Sequence, residues 1–306
     1  MPLLFFEPIF MKRIWGDNYF KNELKYPLDD ELYGELWSLS AIKNAETKIT
    51  NEMFKNKTLS EIFLSNPELF QFDFNEFPLL IKLIHTSDLL SVQVHPDDEF
   101  AKQHENQLGK TECWYFLDAK DDSFIYYGHH AKSVDEFKKA IEQGKCEDLL
   151  DKFQVKCDDF AYIPSKTIHA IGKNILLLEI QQSSNITYRL YDYNRLGLDG
   201  KPRELHVEKA MQVIDFNHEN EKIKSFVNTY GSVVDCKYFA IDKKKISGLT
   251  PLSLPDNVFY TISVIKGEIK VEDQILHMGE SFLATAEVNN ITLNGNGEIL
   301  ITKPKK

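Results

Sequence analysis

Alternating apolar and polar positions before residue 96 predict a strand with one polar face. Around SVQVHPDD, residues 91–98, Leu90, Val92 and Val94 alternate with Ser91, Gln93 and His95. Successive side chains of a strand point to opposite faces. Pro96 ends the strand, because it has no N–H to donate to a sheet. The polar face carries a hydroxyl, an amide and an imidazole, so it suits a pocket wall better than a core. We therefore expect Gln93 and His95 to aim at one point, as metal ligands do.

A second alternating segment places a lysine and a carboxylate on the same face of another strand. In KTECWYFL, residues 110–117, Lys110 and Glu112 share a face with Trp114 and Phe116. The apolar run FPLLIKLI is interrupted by Lys82, which is either a solvent-reaching lysine or a pocket residue.

The remaining pattern predicts further strands and a few short helices. Capping-box patterns begin at Thr58 and Ser133 and predict helices there, the first over residues 59–65. Apolar residues at helical spacing predict a helix over 206–214. Strands are expected at 160–163, 175–180 and 186–191, and beyond about residue 228 only strands and turns, with a turn at Gly267.

A weak internal repeat predicts two small β-barrels. VKCDDFAYIPS and ILLLEI in the first part correspond to LHMGESFLATA and EILI in the second. Each copy has a turn, an apolar strand, a gap and a second apolar strand, as in small antiparallel barrels. We expect a mainly β protein with domains at 1–228 and 229–306. The second copy has His277 as its only histidine, so a metal site is expected in the first domain alone.

Composition narrows the class of protein. With 306 residues, 42% hydrophobic and 27% charged, the chain resembles ordinary globular proteins, and its length favours two domains. The net charge of −11 argues against a nucleic-acid partner and requires local cations to attract an anionic substrate. Four cysteines without a CxxC pair, no signal peptide and no long apolar run predict a cytoplasmic chain without a membrane partner.

One histidine elsewhere completes a candidate metal site. His169 lies in IPSKTIHAIG, where a turn at Pro164 delivers it to the start of a strand. His169, His95 and Glu112 supply two imidazoles and a carboxylate, and Gln93 adds an amide oxygen. This set suits Zn²⁺ with an open position, and it also suits Fe²⁺, Mn²⁺ or Ni²⁺. Each histidine taken singly also fits an ordinary hydrogen-bonded residue.

Several motifs in order resemble one family. SVQVHPDD, GKTECWYFL, IPSKTIHAIG, TYRLYDYNR and DGKPRELHVEKA are similar to those of the zinc-dependent, type I mannose-6-phosphate isomerases in their short bacterial form, and YGELWSLS matches an early motif of that family. The resemblance covers nearly the whole chain. It implies two cupin-type barrels, or jelly rolls, with a few short helices, and one Zn²⁺ per chain. It also implies that Gln93, His95, Glu112 and His169 are the zinc ligands and that Arg189 is catalytic.

The implied reaction interconverts mannose 6-phosphate and fructose 6-phosphate by moving a proton between C2 and C1 through a cis-enediol. Zinc stabilises developing charge as a Lewis acid. Lys110, whose pKa a nearby divalent cation lowers, is a candidate acid, base or phosphate contact. Arg189 stays protonated, so it stabilises the enediolate or clamps a substrate oxygen, unless it only pairs with Asp192. Lys82 and Ser91 are expected at the phosphate end.

Two other classes of function remain open at this stage. Two histidines and one carboxylate also form the site of an iron-dependent cupin dioxygenase. A non-catalytic sugar-phosphate-binding cupin keeps the pocket but needs neither Lys110 nor Arg189. The partner expected in each isomerase or binding case is a small sugar phosphate, and the chain is expected to be a monomer or homodimer.

Overall fold

Strands dominate the chain, and the helices are short. The computed structural model describes residues 3–216 and 222–305. The strands are β1 (Leu3–Glu7), β2 (Ile9–Asp17), β3 (Tyr33–Leu39), β4 (Ala41–Ile42), β5 (Ala45–Glu46), β6 (Lys48–Ile49), β7 (Leu79–Thr86), β8 (Val92–Val94), β9 (Glu112–Ala119), β10 (Phe124–His129), β11 (Leu150–Gln154), β12 (Asp159–Ile163), β13 (His169–Ile171), β14 (Ile175–Gln182), β15 (Tyr188–Tyr191), β16 (Lys224–Ser225), β17 (Gly231–Asp235), β18 (Phe239–Ser253), β19 (Tyr260–Val271), β20 (Gln274–His277), β21 (Ser281–Ala284) and β22 (Asn290–Pro304). The helices are α1 (Tyr19–Asn22), α2 (Leu59–Ser65), α3 (Asp98–His104), α4 (Val134–Glu142) and α5 (Val207–Val213), with 3₁₀ turns at Glu52–Phe54, Pro67–Leu69 and Cys146–Leu149.

The described residues divide into two units that do not follow one cut in the sequence. The first unit comprises residues 3–9, 36–83 and 226–305; the second comprises 10–35, 84–216 and 222–225. The chain changes from the second unit to the first for the last time between residues 225 and 226. This point is close to the predicted boundary after residue 228. β1 nevertheless belongs to the first unit, because it pairs antiparallel with β21. The domain expected at 1–228 therefore contributes segments to both units.

The first unit contains a large antiparallel sheet. Its strand order is β17-β18-β22-β19-β21-β1-β6, with β20 paired to β19. Apolar side chains from β1, β18, β19, β21 and β22 form its core. Gly267 was expected at a turn, but it lies inside β19, opposite Gly297. Its φ is 74°, and a Cβ there would come within 2.1 Å of the Asn296 carbonyl oxygen. Glycine is therefore needed for close strand pairing rather than for chain reversal.

The second unit contains two further sheets. The β8 sheet has the order β11-β10-β13-β8-β15. The β9 sheet has the order β16-β12-β9-β14-β7-β3-β2. Only a part of β3 and a part of β7 belong to this unit. Apolar residues of both sheets, including Trp114, Tyr127 and Leu177, form one buried cluster between them. These are jelly-roll sheets rather than closed barrels, and the predicted mainly β class is confirmed.

The predicted helices are present and explain the outer layer of the second unit. Helix α2 spans the predicted 59–65, α4 begins after the Ser133 N-cap, and α5 lies within the predicted 206–214. Side chains of α3, α4 and α5 pack against Val92 and Val94 on the outer face of the β8 sheet. Within the described ranges, no helix is long and apolar enough to cross a bilayer.

The Thr58 capping box gives a direct stability prediction. The Thr58 hydroxyl accepts from the Glu61 N–H at 3.2 Å, and the Glu61 carboxylate accepts from the Thr58 N–H at 2.8 Å. We expect Thr58→Ala to lower the free energy of unfolding by about 1 kcal/mol, because an N–H at the helix start loses its acceptor. Thr58→Ser keeps the hydroxyl and is the control. Urea denaturation checks this, and equal stabilities of the alanine and serine variants would contradict it.

Candidate metal centre

Strand order in the β8 sheet places three predicted site residues side by side. Gln93 of β8 lies opposite His169 of β13 on one side and opposite Arg189 of β15 on the other. His95 follows the end of β8 and lies on the face opposite Val92 and Val94, which pack outward as predicted. Leu90, predicted on the same face as the valines, instead packs in the cluster between the two sheets, because β8 begins only at Val92. The alternation read from the sequence therefore turns this row of polar side chains toward the β9 sheet.

Glu112 comes from the β9 sheet. It is the first residue of β9 and pairs with Ile163 on β12 and Gln181 on β14. The predicted strand began two residues earlier, at Lys110, but the Lys110 N–H instead donates to the Pro96 carbonyl at 2.9 Å. The predicted shared orientation of the two side chains is nevertheless present. Lys110 Nζ lies 2.7 Å from Glu112 Oε2.

Three of the predicted ligands converge in the interior. Candidate ligand atoms of His95, Glu112 and His169 all lie within 4.8 Å of one another. The Nε2 atoms of the two histidines are 3.2 Å apart. The Glu112 oxygens lie 3.6 Å from His95 Nε2 and 3.4 Å from His169 Nε2. The exposed fractions are 1% or less, so all three candidate ligands are buried.

Backbone contacts fix the orientation of both imidazoles. Nδ1 of His95 lies 2.7 Å from the Ile186 carbonyl oxygen, and Nδ1 of His169 lies 2.9 Å from the Thr167 carbonyl oxygen. A carbonyl oxygen only accepts, so Nδ1 donates, and in each neutral ring the lone pair is on Nε2. Burial is the main cause that lowers the pKa of His169 to about 3, which keeps it neutral at pH 7.

The donor set fits a divalent cation. Two imidazole lone pairs and one carboxylate point at a common centre. The lone pairs and the negative charge repel one another unless a positive charge lies nearby. Backbone carbonyls that hold Nδ1–H are also the usual outer support of metal-bound histidines. Gln93 presents its amide nitrogen at 3.3 Å from His169 Nε2, so its predicted ligation through oxygen stays a prediction.

Lys110 supplies positive charge beside this set. Its ammonium lies 3.1 Å from His95 Nε2 as well as against Glu112, and it is 5% exposed. Burial acts to lower the pKa of Lys110, but the carboxylates of Glu112 and Glu179 outweigh it, so the pKa is raised. The sequence predicted a lowered pKa of Lys110 because it placed the lysine beside a divalent cation. Neighbouring carboxylates act in the opposite direction and raise this pKa.

Arg189 is held by neutral groups rather than by the ion pair weighed above. Its Nε donates to Ser91 Oγ at 3.3 Å and its Nη1 to the Glu204 carbonyl at 2.8 Å. Asp192 instead accepts from Arg195 at 2.8 Å and from Arg203. Ser91, expected at the phosphate end, thus contacts the guanidinium that was expected to be catalytic.

Lys82 is buried, with 7% exposure, in the first unit. Its ammonium lies 5.3 Å from the centre of the Trp37 ring, a cation–π contact. Its place at the phosphate end of a substrate stays a prediction.

Sequence reasoning missed two buried carboxylates near Lys110. Glu179 of β14 accepts from Trp114 Nε1 at 3.1 Å, and Glu35 pairs with Arg13 at 2.9 and 3.0 Å. The charges of both carboxylates raise the pKa of Lys110. The available signal was a single glutamate inside the apolar run ILLLEIQQ, since a buried carboxylate requires a partner.

Jelly-roll sheets around a buried His–Glu–His set define a cupin-type protein with a candidate metal site. The family of the phosphomannose isomerase type I catalytic domain matches residues 4–138, and that of the mannose-6-phosphate isomerase cupin domain matches residues 229–304. The mannose-6-phosphate isomerase ManA of Bacillus subtilis strain 168 is 43% identical over 274 residues, 87% of this chain and 86% of that protein. The probable mannose-6-phosphate isomerase GmuF of the same strain is 40% identical over 313 residues, 98% of this chain and 99% of that protein.

A solved structure agrees in fold. The crystal structure of a mannose 6-phosphate isomerase from Bacillus subtilis superimposes with a TM-score of 0.88 at 34% identity, covering 99% of this chain and 100% of that one. The chain therefore belongs to the type I mannose-6-phosphate isomerase family, and the resemblance seen in its motifs is confirmed.

Proposed function

We propose that this protein interconverts mannose 6-phosphate and fructose 6-phosphate, with one Zn²⁺ per chain held by His95, Glu112 and His169 and completed by Gln93. The observation that carries the proposal is the buried convergence of two imidazole lone pairs and a carboxylate. Family membership supports the reaction. The two imidazoles and the carboxylate suit zinc as well as other divalent ions, and the motif resemblance to zinc-dependent isomerases favours zinc.

The chain's own residues supply cationic hydrogen-bond donors for the oxygens that gain charge during the proton transfer. A bound zinc would act as a Lewis acid toward the oxygens on C1 and C2. Lys110 keeps its proton on Nζ beside the ligands and donates a hydrogen bond to a substrate oxygen as charge develops there. Arg189 keeps its charge and stabilises the enediolate oxygen by hydrogen bonding. The Glu179 carboxylate lies close to Lys110 and partly balances the positive charge of the lysine.

The other functions considered are less well supported. A dioxygenase and a sugar-phosphate-binding cupin would both accommodate the His–Glu–His set. Neither accounts for family matches that run through the chain. Lys110 also lies against two ligand side chains, which a binding role alone does not require.

We further propose that the partner is a small sugar phosphate and not a nucleic acid or a membrane. The net charge of −11 supports this for nucleic acid. We also propose a cytoplasmic location and a monomeric or homodimeric state. Lys82 and Ser91 are proposed to contact the phosphate group of the substrate.

Metal removal tests the function directly. We expect the purified protein to convert mannose 6-phosphate to fructose 6-phosphate in a coupled assay, and chelation to lower the rate at least about 100-fold, since a Lewis acid contributes several kcal/mol. Zinc should restore the activity under exclusion of oxygen. Metal analysis of the same preparation completes the experiment. Tightly bound iron with oxygen uptake, or full activity after the metal is removed, would refute the proposal.

A further inference from the structure

Asp192 is a buried carboxylate shared by two arginines, and the chemistry above does not use it. It follows β15 directly and is 4% exposed. Arg195 donates to it through Nη2 at 2.8 Å, and Arg203 donates through Nε at 2.7 Å and also through Nη2. A buried carboxylate held by charge-assisted bonds is geometrically well defined, so the two arginines are fixed in turn.

Both arginines extend from Asp192 to other parts of the second unit. Arg195 Nη1 donates to the Leu89 carbonyl at 2.5 Å and to Asp88 Oδ2 at 3.1 Å. The Arg203 guanidinium lies 5.2 Å from the centre of the Trp15 ring. The loop that begins after Asp192 and returns at Arg203 is therefore attached to the segment before β8 and to β2.

This loop carries the group that holds Arg189. Glu204 follows Arg203, and its carbonyl oxygen accepts from Arg189 Nη1 at 2.8 Å. The returning chain also pairs with the backbone of Arg189, because the His206 N–H donates to the Arg189 carbonyl at 2.7 Å. Asp192 thus fixes Arg203, Arg203 fixes the neighbouring carbonyl of Glu204, and that carbonyl orients the Arg189 guanidinium.

Charge balance strengthens this connection. Burial and the guanidiniums of Arg203 and Arg195 lower the pKa of Arg189, and Asp192 acts in the opposite direction. Glu204 acts in the same direction as Asp192, but its side chain is exposed, whereas the Asp192 carboxylate is buried between Arg195 and Arg203. Without this carboxylate, mutual repulsion would displace the most loosely held of the three guanidiniums. Within the described part of the chain, the Arg189 guanidinium donates hydrogen bonds to a hydroxyl and a carbonyl and to no carboxylate.

We propose that Asp192 is a positioning residue for the isomerisation, acting through Arg203 and the Glu204 carbonyl to place the Arg189 guanidinium. This inference rests on the proposed function, in which Arg189 stabilises the enediolate. Asp192 itself contacts neither the metal ligands nor, on this proposal, the substrate.

A double-mutant cycle separates positioning from a structural role. We expect Asp192→Asn to lower kcat about 100-fold, because a misplacement of about 1 Å costs that much. The same substitution in an Arg189→Ala background should lower kcat less than about twofold, since the residue it positions is gone. Zinc content should be unchanged. Equal losses in both backgrounds, or loss of zinc, would overturn the proposal.

Two further variants and one structure keep the test informative. Arg203→Lys keeps the charge but not the two-pronged contact, so we expect a smaller loss of kcat with the same dependence on Arg189. Asp30→Asn removes an exposed ion pair to Lys21 and should change nothing.

A crystal structure of Asp192→Asn, or of Arg203→Lys if the former does not fold, should show Arg189 Nη1 moved from the Glu204 carbonyl with His95, Glu112 and His169 in place. An unchanged Arg189 contact overturns the positioning role whatever the activity. A wild-type protein without isomerase activity, or an Arg189→Ala variant with full activity, counts against the proposed function instead.

Discussion

Replacing Glu112 by alanine is expected to remove the bound metal and to lower turnover at least about 1000-fold, because the Lewis acid contributes several kcal/mol to transition-state stabilisation. Glu112 is the only anion in direct contact with both histidine Nε2 atoms among the described residues. Its loss leaves two neutral imidazoles, which hold a divalent ion far less tightly than a set with a carboxylate.

The same substitution also affects stability. Glu112 is fully buried, and Lys110 Nζ lies 2.7 Å from it. Removing one partner of a buried ion pair costs about 3–5 kcal/mol. Glu112→Gln keeps the volume and one oxygen while it removes the negative charge, so it tests the metal site in a variant that packs like the wild type.

Zinc per chain, circular dichroism and the coupled assay on the same preparations measure the outcome. Glu142→Ala, an exposed position on α4, is the control and should keep both zinc and turnover. A Glu112→Gln variant that folds, lacks metal and isomerises at the wild-type rate would show that the proposed site is not the catalytic one.

The parts of the site that the sequence predicted are those that local patterns determine. Alternation before Pro96 fixed the faces of Gln93 and His95, because the side-chain period of a strand is 2 whatever its neighbours are. The same rule placed Lys110 beside Glu112, although β9 begins only at Glu112. The Thr58 capping box likewise predicted α2, since its hydrogen bonds are local.

The parts that the sequence could not predict depend on which strands pair. Glu179 lies beside Trp114 only because β14 pairs with β9 in that register. A run such as ILLLEIQQ shows a buried strand without showing its neighbours, because both faces are apolar. The sequence also did not predict that β1 belongs to the first unit, because its pairing partner β21 lies near the other end of the chain. Gly267 was misread because a glycine needed for close strand contact has the same sequence signature as a turn.

Arg189 gives the second large effect. We expect Arg189→Ala to lower kcat about 1000-fold and Arg189→Lys about 100-fold, because losing a donor to a developing oxyanion costs about 100- to 1000-fold. Lysine keeps the charge, but its ammonium lacks the planar fork that contacts Ser91 Oγ and the Glu204 carbonyl together. Zinc content should be unchanged in both variants, since Arg189 is not among the convergent ligands.

Separate measurement of kcat and KM decides what Arg189 does. An interaction made only in the transition state lowers kcat and leaves KM nearly constant, whereas a clamp on the bound sugar phosphate raises KM alone. Lys209→Ala, which removes an exposed ion pair with Glu105, is the control cation. A rise in KM without loss of kcat would move Arg189 from the enediolate to the substrate's ground state. The protein would still be an isomerase in that case, because kcat is intact, and Arg189 would contribute to substrate binding rather than to the chemical step.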